Sequence, residues 1–131
     1  MLVMLLLLPV LHLSSPSGPQ ALADGERRVE EIPYITCDGS KWRATLSGDR
    51  FWHFPRDPET QRERHEAPVI RYQTWGGGCW QATWDAGSRV FRHRPAAGGS
   101  GHPDTILNFE DWDRVRWTAR RQGDDWIVRR R

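Results

Sequence analysis

The chain has 131 residues, with 19 basic and 17 acidic side chains, a formal net charge of +2, eight tryptophans and two cysteines. That length leaves room for one modest domain and excludes a multidomain enzyme. Two cysteines exclude a disulfide-dense scaffold and leave a single bridge as the economical use of the pair.

Residues 1–13, MLVMLLLLPVLHL, are almost wholly apolar and are followed by the small, polar stretch SSPSGPQ. Ala21-Leu22-Ala23 then supplies the small–x–small pattern that a signal peptidase reads. The apolar run is too short to span a bilayer, and no cysteine follows it directly to carry a lipid. The expectation is a signal peptide over 1–23, cleavage after Ala23, and a secreted or periplasmic protein made of residues 24–131. In an oxidising compartment, Cys37 and Cys79 are expected to form a disulfide. Closing a loop of that length stabilises by roughly 4 kcal/mol in the chain-entropy model.

The string YITCDGSKWRAT (34–45) returns at 72–84 as YQTWGGGCWQATW. Tyr34, Thr36, Gly39, Trp42, Ala44 and Thr45 match Tyr72, Thr74, Gly77, Trp80, Ala82 and Thr83 without a gap. About 37 residues later, Phe109, Trp112, Trp117 and Ala119 continue the skeleton. A period of 37–38 residues points to repeated structural units, placed approximately at 32–69, 70–106 and 107–131. Each opens with a β-type run such as VIRYQTW. A glycine turn, an alternating strand (WRATL, WQATW), a second tight turn and a third strand follow. Residues 55–68 are charged and bounded by prolines and read as a loop or one short helical turn, whereas the Gly-rich 95–105 read as a flexible loop. The fold class is therefore all-β. It is expected as a small antiparallel barrel or sandwich of three three-stranded meanders, trefoil-like if the barrel closes.

Trp42, Trp80 and Trp117 occupy one repeat position and share a face with small alanines. Together with Tyr34, Tyr72 and Phe109 they are the expected structural core. Trp75 and Trp112 sit at odd offsets from the aromatic that opens their repeats, so they are expected on the opposite strand face. With Trp84 they are candidates for stacking on sugar rings. Only Lys41 is a lysine, and arginines crowd the C-terminus. Arg114, Arg116, Arg129 and Arg130 are the candidate contacts for anionic groups. FEDWDR (109–114) lacks a Gly-centred calcium loop and reads as a solvated rim. The histidines match no metal spacing and the serines no nucleophile signature.

These readings converge on an exported, non-enzymatic binding module with no cofactor and no metal. Its expected ligands are envelope or extracellular glycans or other anionic polymers; no nucleic acid is expected. The alternative is a protein-interaction module such as a small enzyme inhibitor. In outline (small, exported, β-rich, one disulfide) the chain is similar to bacterial periplasmic lysozyme inhibitors, without sharing their loop motifs.

Overall fold

The computed structural model describes residues 21–56 and 65–131. Residues 1–20 of the expected signal peptide and residues 57–64 of the first connecting loop lie outside the described residues. Twelve strands and no helix occur among the described residues. They are β1 (Glu26–Val29), β2 (Glu31–Ile35), β3 (Lys41–Ser47), β4 (Arg50–Pro55), β5 (His65–Ala67), β6 (Val69–Gln73), β7 (Cys79–Asp85), β8 (Val90–Pro95), β9 (His102–Asp104), β10 (Ile106–Glu110), β11 (Arg116–Gln122) and β12 (Asp125–Arg130).

The strands form three antiparallel four-stranded sheets, ordered β2-β3-β4-β5, β6-β7-β8-β9 and β1-β12-β11-β10. No sheet closes on itself, so the closed barrel is replaced by three open sheets around a common interior. β1 supplies the outer strand of the third sheet by pairing with β12. Single residues, Glu30, Pro68 and Thr105, separate β1 from β2, β5 from β6 and β9 from β10. At each of these corners the chain bends out of one sheet and into the next, a device by which strands switch sheets.

Each sheet therefore has four strands where the sequence suggests three. The three additional strands are β1, which precedes the first expected repeat, and β5 (HEA) and β9 (HPD), which fall inside the segments expected as loops. Neither tripeptide, His-Glu-Ala or the proline-containing His-Pro-Asp, carries strand propensity of its own. They are extended because β4 and β8 offer them an edge, as in the pairs His53↔His65 and His93↔His102.

Registers coincide across the three sheets. Tyr34↔Trp42, Tyr72↔Trp80 and Phe109↔Trp117 face one another across the first strand pair. Ala44↔His53, Ala82↔His93 and Ala119↔Val128 do so across the second. Tyr34, Tyr72 and Phe109 are buried, as expected of core residues. The tryptophans differ from expectation: Trp42, Trp80 and Trp117 are only partly buried and pack against the edge of the core. They stand at the strand ends beside the first turn, where the interior opens toward solvent.

The centre is filled instead by Phe51, Phe91 and Trp126, each fully buried and each the second residue of its sheet's third strand. Their rings lie 5.9–6.5 Å apart with interplanar angles of 12–22°. Ala44, Ala82 and Ala119 are completely covered; a larger side chain there would displace a neighbour in a close-packed interior. The Trp126 indole donates to the Ala44 carbonyl at 3.1 Å, satisfying its one polar group.

Candidate functional site

The first turns of the three sheets share one hydrogen-bond plan. Gly39, Gly77 and Arg114 donate their backbone N–H to Thr36, Thr74 and Asp111, and each adopts a positive φ. Two of these positions hold glycine, which enters that region freely, while Arg114 enters it at φ 64°. The guanidinium of Arg114 is anchored by Gln73 Oε1 at 2.6 Å and Glu110 at 3.4 Å.

Each first turn also grips the next sheet. Trp75 donates its indole N–H to the carbonyls of Phe109 and Trp117, both at 3.1 Å. Trp112 donates to the Trp42 carbonyl at 2.9 Å. The third such position holds Cys37, whose sulfur bonds to Cys79 and lies 4.0 Å from the Trp80 carbonyl. Two indoles and one disulfide thus latch sheet to sheet at matching places. The disulfide expected from sequence is present and leaves no free cysteine.

This arrangement redistributes the candidate ligand-binding residues. Trp75 and Trp112 are partly buried, their N–H groups occupied, with Arg131 and Arg56 lying 5.6 and 5.1 Å over their rings. Trp84, at the other end of the strands, packs edge-on against Phe91 at 4.9 Å and is covered by Arg121. FEDWDR is an organised turn, not a solvated rim. Glu110 is buried and accepts the Gly76 N–H, while Asp111 accepts from the Trp117 indole at 2.8 Å and from two backbone N–H groups.

The C-terminal arginines separate into two classes. Arg120 is committed to Glu26 by two 3.1 Å bonds, and Arg121 to Asp124 and backbone carbonyls. Arg116, Arg129 and Arg130 are exposed and form no ion pair among the described residues. Arg116 and Arg130 lie at the same strand end, where the Arg131 N–H donates to the Arg116 carbonyl, close to Trp75.

A second basic surface was not apparent in the sequence. The outward face of the second sheet carries a cleft of about 350 Å³ lined by Gln81, Thr83, Arg92, Arg94, Gly101 and Pro103. Gln81 Oε1, in the amide orientation its surroundings require, accepts from Arg94 at 2.7 and 3.2 Å. Arg92 bonds Asp85 at 2.7 Å and thereby holds that carboxyl below the usual carboxylate range. Arg71, paired across the sheet with Gln81, stands on the same face outside the cleft lining; it and Arg94 have no carboxylate partner among the described residues. Arginines 71, 92 and 94 are scattered in sequence; only the alternation of β6 and β8 places them on one face.

No family model, curated protein or solved structure matches this chain. The chemistry must therefore be read from the geometry. Among the described residues no group of three or more metal-ligating side chains comes together.

Inside the sheets, two tyrosine–histidine pairs lie at matching places. The Tyr34 hydroxyl is 2.9 Å from His53 Nδ1, and the Tyr72 hydroxyl 2.9 Å from His93 Nδ1. Burial pushes the His53 imidazole down to about 4, with His65 opposing its charge further. His93 is lowered for the same leading reason, then by His102. Both rings are thus neutral at pH 7, and the Nε2 atom of each is buried without a hydrogen bond of normal geometry. In the third sheet the same places hold Phe109 and Val128, so hydroxyl and imidazole are absent together.

Proposed function

We propose that the protein is an exported binding module for anionic glycans or related envelope polymers. The observation that carries this reading is the cleft on the second sheet, where Arg94, without a carboxylate partner among the described residues, lies beside the Gln81 amide and the Thr83 hydroxyl, with Arg71 on the same face next to Gln81. Guanidinium forks suit carboxylate, sulfate and phosphate groups, and a neighbouring amide and hydroxyl suit sugar hydroxyls. The free guanidiniums of Arg116 and Arg130, with Trp75 nearby, offer a second contact for an extended polymer. Two weak contacts on one chain bind more tightly than either alone. The disulfide fits an oxidising compartment, in keeping with the leader expected over residues 1–23. The common register of the three sheets supports their origin as copies of one unit.

The test is tryptophan fluorescence titrated with sulfated and uronic-acid polysaccharides at low and high salt. Binding that weakens as salt rises, and that weakens again in an Arg71→Ala/Arg94→Ala variant, supports the reading. Flat titrations across the panel would remove it.

A further inference from the structure

The interior end of the second sheet holds a separate pocket of about 180 Å³, bounded by Tyr72, Thr74, Trp80, His93, Asp104 and Asn108. At roughly 30 Å³ per water it has room for about six waters. It is smaller than the roughly 300–1,000 Å³ of drug-sized sites. One small ring fits; a polymer does not.

Four of its polar groups stand where the third sheet has apolar side chains. The third sheet has a cavity of about 190 Å³ at the matching position, where Phe109, Trp117, Val128, Val29, Ile32 and Pro33 are joined by the charged side chains Arg27, Glu31 and Asp111. Read through the strand registers, Phe109 stands where the second sheet has Tyr72, and Val128 where it has His93. Val29 stands for Asp104 and Pro33 for Asn108. The fold is therefore built successfully with Phe, Val, Val and Pro at these four places. Architecture does not require a phenol, an imidazole, a carboxylate and an amide there.

The polar set is also incompletely used. His93 is 4% exposed, yet beyond an approach to the Ile106 backbone its Nε2 has no hydrogen bond of normal geometry among the described residues. With Nδ1 engaged by Tyr72, Nε2 can exchange that loose backbone approach for a better-aligned hydroxyl, donating or accepting according to tautomer. Asn108 Oδ1 is a second buried acceptor without a partner. Buried groups of this kind cost stability unless something satisfies them. Trp80 borders the same pocket and is only partly buried, its ring meeting His102 edge-on at 5.4 Å. A flat aromatic beside convergent donors and acceptors is the combination that recognises a ring with one apolar face and several hydroxyls.

We propose that this pocket binds a single neutral sugar ring, with Trp80 against its C–H face and His93 Nε2, Asn108 Oδ1 and Asp104 receiving its hydroxyls. The assignment extends the glycan reading above; His93 and His102 border both cavities, but the arginines of the cleft take no part in this pocket, so their removal tells the two readings apart.

The experiment is a titration of the full protein with methyl glycosides of a panel of neutral hexoses, followed by the Trp80 indole N–H signal in ¹H–¹⁵N spectra. A saturable shift with one or more glycosides is expected. A Tyr72→Phe/His93→Val/Asp104→Val variant, which installs the third sheet's residues, should retain a folded spectrum and lose at least tenfold in affinity. Should that variant fail to fold, Asn108→Ala alone should weaken binding severalfold. Arg71→Ala/Arg94→Ala should leave the glycoside shift unchanged while reducing binding of acidic polymers. Absence of a Trp80 shift with every glycoside overturns the proposal. So does undiminished affinity in a folded pocket variant.

Discussion

The Tyr72 hydroxyl meets Nδ1 of His93 at 2.9 Å inside the second sheet, in the register where the third sheet sets Phe109 beside Val128. A polar pair and an apolar pair thus serve the same structural place. Removing only the hydroxyl, in Tyr72→Phe, strands the buried His93 Nδ1 and is expected to cost about 1–3 kcal/mol. Adding His93→Val should recover most of that loss, because both polar partners are then gone. Urea denaturation of wild type, single variants and double variant completes the cycle, and strict additivity would contradict the coupling.

The two buried imidazoles also set a pH window. Desolvation holds His53 at about 4 and lowers His93, whereas in the unfolded chain both titrate near 6.5. Above pH 6.5 the rings are neutral in either state and add no slope. As pH falls from 6.5 toward 4 the unfolded chain takes up protons that the folded chain refuses, so stability declines. Below about 4 the folded ring protonates too, and the His53 contribution has been lost. For His53 alone the full window amounts to about 3 kcal/mol. Thermal melts from pH 7.5 to 4.5 should show a falling Tm, and Tyr34→Phe/His53→Val should make that fall shallower. Identical pH profiles would refute the assignment.

How far the sequence discloses this molecule depends on which physical signal each part carries. The WRATL and WQATW alternation and the flanking glycine turns mark the strands directly, because side-chain period and turn φ are local properties. Tyr34, Tyr72 and Phe109 were legible as core for the same reason. The burial of Trp42, Trp80 and Trp117 was not legible, nor was the central place of Trp126: burial depends on where along the strand the interior opens, a property of sheet packing. β5 and β9 are invisible in HEA and HPD because their pairing partners, not their composition, make them strands. The arginine cleft was hidden because Arg71 and Arg94 are distant in sequence and near each other only after β6 and β8 pair with β7.

Disulfide and indole latches at matching places predict unequal losses. Replacing both cysteines by serine frees a loop spanning a sequence separation of 42 residues. The expected loss is about 4 kcal/mol in the chain-entropy model. Trp75→Phe keeps most of the ring and removes only the N–H shared by the Phe109 and Trp117 carbonyls, so about 1 kcal/mol is expected. Guanidinium denaturation curves under oxidising conditions should rank the two variants in that order. An equal loss from each would show that the indole latch carries more than its hydrogen bonds.

The two basic surfaces lead to different salt behaviour. At the C-terminal strand end, Arg116 and Arg130 are exposed and have no ion pair among the described residues, so their attraction for a polyanion is long-range and screened within about 8 Å at physiological ionic strength. In the second-sheet cleft, Arg94 is held by Gln81 and presented on a concave surface, favouring a short-range, oriented contact. Arg116→Ala/Arg130→Ala should therefore lower affinity for an acidic polysaccharide mainly at low salt and flatten its salt dependence. Arg94→Ala should lower affinity at every salt concentration and reduce discrimination among polymers of equal charge density. Affinities measured by fluorescence across a salt series distinguish the two patterns. If both variants changed only the slope, the cleft would be acting as diffuse charge and the oriented contact would be wrong.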